Sequence, residues 1–536
     1  MCAHAALVLG VAHWWIARNE LPDGYQNEFI HLFTLGEIFF RLRDDGFAEA
    51  LPFIRDEYWP PLLHLLPGLA LACLEPSRQL ATFTAALAVI PLLAATAALG
   101  LRLAGPWTAC LATSLTAFAP TIFGNARRYE PNVLLAAFVV GTAWFLTTRA
   151  ERSRRTFILG AGALIGGGLL ADRLAFAVYL APALVILAVR ERDLRRWLGA
   201  VGVGLLLSGW YYARFLTQHL GEITSQLGGE LSASGEQSAV GVLSLKGLLY
   251  YPLALLDGGA GLLPGLVILA GLGVWARLRR PSDAPTASVL EPMLLGGLLL
   301  FTLIGKKQPY YALPLVPVAA VLGAAGLVRL APSVRWRQGL LVATVAVGLH
   351  QLAFLSVGRG LVPTPGRWAV LAGASPFPPG FLGNEYVQAA PPAPAGVDPD
   401  RIAALCRAQG GSAVLFSEGQ GAYEGQLMPT LRLALNTRRV PGLLMEPEAW
   451  IESVDAAACF VYVTPTQEGD PPRTWPTEAS MSPLMAQWNQ AAPSPPLLAA
   501  LARARGRATL ADRWSSERSE TVYVYALAGV DHQDPQ

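Results

Sequence analysis

RAERSRRTFILGAGALIGGGLLADRLAFAVYLAPALVILAVRERDLRR, residues 149–196, decides how this chain folds. Two apolar runs, 157–171 and 174–189, are separated only by Asp172 and Arg173, and both outer ends carry arginine clusters. Neither run has a polar face at helical spacing, so neither suits the surface of a water-soluble protein. Together they read as a helical hairpin through a bilayer, its basic ends cytoplasmic and the Asp172–Arg173 turn on the other side. Composition agrees: of 536 residues, 53% are hydrophobic and 15% charged, whereas a soluble chain carries about 25% charge. With 40 Lys and Arg against 38 Asp and Glu, there is no electrostatic case for nucleic acid as a partner.

Working outward from the hairpin, further apolar runs lie at 1–17, 79–100, 106–123, 131–148, 197–216, 258–276, 290–304, 310–328 and 338–357, which makes eleven expected crossings. Residues 1–17 have no basic start and no small-residue cleavage site, so they read as a first span rather than a cleaved leader. WPPLLHLLPGLALACLE, 59–75, is short and opens on a proline pair. Leaving it uncrossed sorts the loops into two sets. One set (101–105, 149–156, 190–196, 277–289, 329–337) holds 15 Lys and Arg in 42 residues; the other (18–78, 124–130, 172–173, 217–246, 305–309) holds 11 in 105. That bias places the first set and the N-terminus in the cytoplasm, and puts 18–78 and everything after 357 outside. Abundant Ala, Gly, Pro, Leu and Arg with scarce Lys suits a GC-rich bacterial genome, so the expected location is the inner membrane.

From 358 the character changes. Residues 358–400 are proline-rich (PTPG, SPFPPG, APPAPAGVDPD) and read as a linker after the 1–357 membrane region. Residues 401–536 then read as a soluble extracytoplasmic α/β domain. Strands are expected at 412–417, 458–464 and 521–527, and helices at 400–408, 426–436 and 495–505. Cys2, Cys73 and Cys110 lie in apolar segments as inert packing residues. Cys406 and Cys459 sit where a disulfide is permitted; two buried thiols are the slightly favoured alternative.

Ionisable residues collect on the outer side. The 18–78 loop carries ten acids, with Glu20, Asp23 and Glu28 first; EFIHLFTLGEIFFRL within it is apolar at helical spacing, as in an interfacial helix. The acids from Glu37 to Glu49 read as negative charge left outside by topology. GNARRYEPNVLL, 124–135, places Arg127, Arg128 and Glu130 just before Pro131. Glu130 suits the coming helix N-terminus, while two adjacent arginines outside run against the charge bias and suit an anion. In GKKQPYYALPLVP, 305–317, Lys306 and Lys307 precede Tyr310, an arrangement fit for a lipid phosphate or for simple snorkelling. A carboxylate can take a proton from an attacking hydroxyl or amine, and cations can hold the charge on a departing lipid phosphate.

At QNEFIH, EYWPPLLHLLP, ARRYEPN and GKKQPYYALPLVP the chain resembles the GT-C superfamily of polyprenyl-phosphate-sugar glycosyltransferases, nearest to the branch of protein O-mannosyltransferases and lipid A aminoarabinose transferases. The resemblance covers roughly residues 1–330. It implies a GT-C-like α-helical polytopic fold of about 11 transmembrane helices, with interfacial helices in the first outer loop and the soluble α/β domain following. It also implies a polyprenyl-phosphate sugar donor, a lipid, polysaccharide or protein acceptor, and contact with membrane lipids. Asp23, Glu28 and Glu130 would be the catalytic acids, and Arg127, Arg128, Lys306, Lys307 and Tyr310 would bind the lipid phosphate. Two departures stand out: Asn27 occupies the place of an expected acid, and Asn132 replaces an Asp that often follows the loop proline. No metal-ligand spacing is present; the acid cluster permits a divalent metal without requiring one. A transporter, supported by Asp257 and Glu291, and a non-catalytic member of the fold remain the rival readings.

Overall fold

The computed structural model describes residues 1–19, 28–172, 174–191, 193–228, 244–304, 307–364, 369–371, 374, 391–392, 396–417, 422–437, 447–465, 474–477, 493–515 and 520–528. Two compact units emerge: residues 1–15, 51–66 and 82–392 form the first, and 16–50, 67–81 and 393–536 the second.

The helices follow the apolar runs. In order they are α1 (Cys2–Arg18), α2 (Glu28–Phe40), α3 (Phe47–Asp56), α4 (Leu62–Cys73), α5 (Arg78–Ala86), α6 (Val89–Ala104), α7 (Pro106–Ala117), α8 (Pro120–Asn125), α9 (Asn132–Thr147), α10 (Arg154–Ala171), α11 (Ala175–Glu191), α12 (Leu194–Gly228), α13 (Leu245–Ala254), α14 (Leu262–Leu278), α15 (Ala284–Leu303), α16 (Leu315–Leu330) and α17 (Val334–Val357). Among the described residues, Arg78–Ala104, Pro281–Leu303 and Val334–Val357 are long and apolar enough to cross a membrane, and several shorter apolar helices accompany them. The chain is a multi-pass membrane protein. With 12 residues, α4 rises about 18 Å, the same as α7 (Pro106–Ala117). Some boundaries differ from expectation: the 106–123 run divides into α7 and α8, α15 starts at Ala284 where 290 was expected, and α12 runs on to Gly228, well past 216, because no glycine pair or proline interrupts it earlier.

The first unit is held by close helix packing around an apolar interior. Helices α14 and α16 meet through glycines: a Cβ on Gly271 would lie 2.2 Å from the Gly323 carbonyl oxygen, and one on Gly326 would lie 2.1 Å from that of Gly271. Small residues permit such backbone contact where lipid supplies no hydrophobic drive between helices. Cys2, Cys73 and Cys110, expected as packing residues, are exposed on their helices instead, since a single-residue thiol in an apolar run carries no signal of which side it faces.

The second unit contains a four-stranded sheet, β1 (Ala413–Ser417), β2 (Cys459–Pro465), β3 (Ala508–Ser515) and β4 (Glu520–Leu527), in the order β1-β2-β4-β3. β1 runs parallel to β2; β2 and β3 each run antiparallel to β4. Helices α18 (Pro399–Ala408) and α19 (Ala422–Leu435) cover one face with Leu415, Val461 and Val524; α20 (Pro447–Ala456) and α21 (Pro495–Arg507) cover the other with Phe460, Tyr462 and Tyr523. Cys406 and Cys459 are joined by a disulfide with Cα atoms 5.4 Å apart, so the favoured reading of two thiols gives way. The reason is geometric: α18 lies directly on β2, which brings positions 53 residues apart in sequence within bonding distance.

Helix α2 belongs to this unit. Leu32, Leu35, Ile38, Phe39 and Phe40 are buried, and Phe33 packs against the core under α19. Arg432 of α19 pairs with Glu37 at 2.5 Å and lies over the Phe33 ring at 4.8 Å. Glu37, expected as charge left over by topology, is therefore an ion-pair partner.

Candidate active site

In the first unit, α8 ends at Asn125 and α9 begins at Asn132, and the turn between them carries Arg127, Arg128 and Glu130, all buried. Arg127 lies between aromatic rings, 5.6 Å from the Trp15 centroid and 4.9 Å from that of Phe123, and donates to Ser356 Oγ of α17. Burial, and after it the like charge of Arg128, push Arg127 down to about 9, which leaves a guanidinium charged at neutral pH. Tyr129 donates to the Leu63 carbonyl at 3.0 Å, and His64 Nδ1 lies 3.3 Å from its hydroxyl. The turn is thereby pinned to the proline-pair segment. Asn132 donates to Glu130 Oε2 at 2.6 Å and to Asn125 Oδ1 at 2.9 Å. An aspartate at 132 has no N–H to give and would repel Glu130, which gives the departure at Asn132 a physical reason.

Ser356 also lines an apolar groove of about 450 Å³ between α1 and α17, walled by Leu7, Val11, Trp14, Leu349 and Leu352. One wall residue thus joins a greasy slot to a buried cation.

Lys307 is buried rather than snorkelling. Its Nζ donates to the carbonyl oxygens of Phe301 (2.9 Å) and Thr302 at the end of α15, 5.5 Å from the Tyr251 ring centroid. A cation there satisfies carbonyls that the helix leaves open and suits its dipole. Burial lowers Lys307 to about 8. Tyr310 is half-buried, edge-on to Tyr311 at 4.9 Å. Lys306 lies outside the described residues.

In the second unit, Glu28 opens α2 and is buried with Arg78, 3.7 Å away, at the start of α5. Arg78 also donates to the backbone carbonyls of Ile16 and Asn19. Asp23 and Asn27 lie outside the described residues. Sequence reasoning did not single out Arg78, His64 or Ser356; an arginine at the first position of an apolar run, directly after an acid-rich loop, is the signal that could have found Arg78. Glu291, offered for a transporter, accepts from Trp275 Nε1 (3.0 Å) and Arg279 (2.7 Å), and the Asp257 side chain lies outside the description. Among the described residues no group of three or more His, Cys, Asp or Glu is placed to hold a metal.

A profile of the family described as dolichyl-phosphate-mannose-protein mannosyltransferase matches residues 59–210, the segment containing the proline pair and the buried arginine turn. No curated protein matches the chain. Among solved structures, ArnT from Cupriavidus metallidurans in the apo state is similar with a TM-score of 0.57 at 15% identity, covering 98% of this chain and 97% of that one. The same protein bound to undecaprenyl phosphate gives 0.53 at 15% identity, with 98% and 97% covered. The spans, the arginine turn and the likeness along nearly the full length agree: the chain has the GT-C fold.

Proposed function

We propose that the chain is a membrane glycosyltransferase that takes a sugar from a polyprenyl-phosphate donor and passes it to an acceptor on the outer face of the inner membrane. The observation that carries this reading is the buried Arg127–Glu130 turn beside an apolar groove, in a fold shared with a protein solved with undecaprenyl phosphate. A groove of that character suits an isoprenoid tail, and adjacent buried guanidinium groups suit its phosphate.

The chemistry follows from those groups. An acceptor O–H or N–H gives its proton to a carboxylate while its oxygen or nitrogen attacks the sugar's anomeric carbon. The bond from that carbon to the donor phosphate oxygen breaks, and the electron pair leaves with the lipid phosphate. Arg127, Arg128, Lys306 and Lys307 supply positive potential where that charge grows, and Tyr310 flanks it. Glu28, clamped by Arg78, is held in one place and suits orienting the acceptor; Asp23 is then the base. Glu130, held by Asn132, is the second acid.

Asp23→Asn and Glu28→Gln, reconstituted separately and assayed for sugar transfer from a labelled polyprenyl-phosphate sugar, test the assignment. Loss of about 100-fold or more in Asp23→Asn is expected for a missing general base. Transfer that survives both changes removes these acids from the site.

A further inference from the structure

The end of the first unit that carries the arginine-rich loops holds a second cavity, remote from the Arg127 turn along the length of α9. That these loops share one end is set by contacts: Arg196 donates to the Arg149 carbonyl, Arg149 to that of Pro285, and Arg329 to Asp283. Between α11 and α15 the cavity has a volume of about 600 Å³. One part of its wall is apolar, with Pro182, Ile186, Pro292 and Leu295; another carries Arg190, Arg279 and Arg280. A Cβ on Gly296 would lie 2.4 Å from Pro182, so the two helices touch there.

Charge in the lining is one-sided. Three arginines face one lining carboxylate, Glu291, which Arg279 already pairs with. Asp283, next to the cleft, is taken by Arg329 at 2.6 Å. Arg190 makes no ion pair among the described residues and is exposed. A cationic patch beside an apolar slot between membrane helices matches an amphiphile with an anionic head. A free phosphate would leave the slot unfilled, and a zwitterionic head would bring its own ammonium to the arginines.

We propose that this cleft seats an anionic phospholipid, its phosphate among Arg190, Arg279 and Arg280 and part of one acyl chain along Ile186 and Leu295. The site is independent of sugar transfer and of the reading given above for the Arg127 turn. Its occupant would brace the α11–α15 contact in the leaflet that faces the arginine-rich loops.

Native mass spectrometry of the detergent-purified full chain, titrated with phosphatidylglycerol or phosphatidylethanolamine, tests it. Wild type is expected to retain phosphatidylglycerol preferentially as one saturable adduct. Arg190→Gln/Arg280→Gln is expected to bind it about 30-fold more weakly, from roughly 1 kcal/mol per arginine near a lipid surface. Arg335→Gln/Arg337→Gln, an exposed and a half-buried arginine outside the cleft, is expected to bind as wild type does. Ile186→Trp, which fills the slot and leaves the charges intact, is expected to lose the adduct as well. Equal binding by the Arg190/Arg280 pair and wild type overturns the proposal. So does equal retention of phosphatidylethanolamine, or displacement of the lipid by millimolar inorganic phosphate.

Discussion

The Glu28–Arg78 pair is where stability and chemistry meet, and it can be taken apart. Both groups are buried, and their charged atoms lie 3.7 Å apart. Glu28→Gln leaves the guanidinium buried without its carboxylate, which costs about 3–5 kcal/mol in comparable pairs. For a unit of this size each kcal/mol moves the melting temperature by about 2–4 °C, so a fall of roughly 6–20 °C is expected. Arg78→Met strands the carboxylate and also the Ile16 and Asn19 carbonyls, adding about 1 kcal/mol for each. The double variant removes both charges and leaves only the Ile16 and Asn19 carbonyls stranded, so it should be less destabilised than either single change. Intrinsic-fluorescence melting of the four proteins in detergent measures the cycle. Sugar transfer on the same samples separates the roles: an orienting acid predicts that the double variant regains stability but not activity. A Glu28→Gln shift under about 3 °C, or additive single effects, would refute the structural part of the reasoning.

Two other expectations follow from named groups. Lys307 is lowered to about 8 by burial, so its charge is present below that pH and is lost as the pH rises through it. If it supports the lipid phosphate, KM for the donor should rise above pH 8 in a steady-state assay, and Lys307→Arg should flatten that rise. Cys406→Ser/Cys459→Ser opens a covalent link spanning 53 residues. Chain entropy assigns such a closure about 4 kcal/mol, so the variant should melt lower and be cut faster by trypsin within 393–536; unchanged proteolysis would count against that.

The helical layout was legible because apolar runs bounded by arginine admit few other readings. α10 and α11 fall where the opening hairpin placed them. Strands β1, β2 and β4 were legible from β-branched and aromatic alternation. β3 was not, because ATLADRWS exposes much of its length and carries Asp512 and Arg513 at the sheet edge. In the site, Arg127 and Arg128 stood out as adjacent cations in a loop that the charge bias reads as outer, and Glu130 by its place just before a helix start. Their partners did not, since Ser356 lies 229 residues from Arg127 and becomes its neighbour only through packing of α17. Arg78 was hidden for a similar reason: fifty residues separate it from Glu28, and a loop-boundary arginine looks like an anchor until the fold buries it. Asn132 looked like a departure from the family's pattern in the sequence. Its two donated hydrogen bonds make it a support for Glu130 instead.

Helix α2 finds its partner Arg432 at a distance of 395 residues from Glu37. On a ribosome adding about 5–20 residues per second, roughly 20–80 s separate the synthesis of the two. Throughout that interval Phe33, Phe39 and Phe40 have been made and their covering domain has not. The first acidic loop therefore matures last although it is translated first, and a nascent chain halted before residue 393 would carry its spans without a finished α2. Quality control that waits for the C-terminal domain would thus also be checking the loop that holds Glu28.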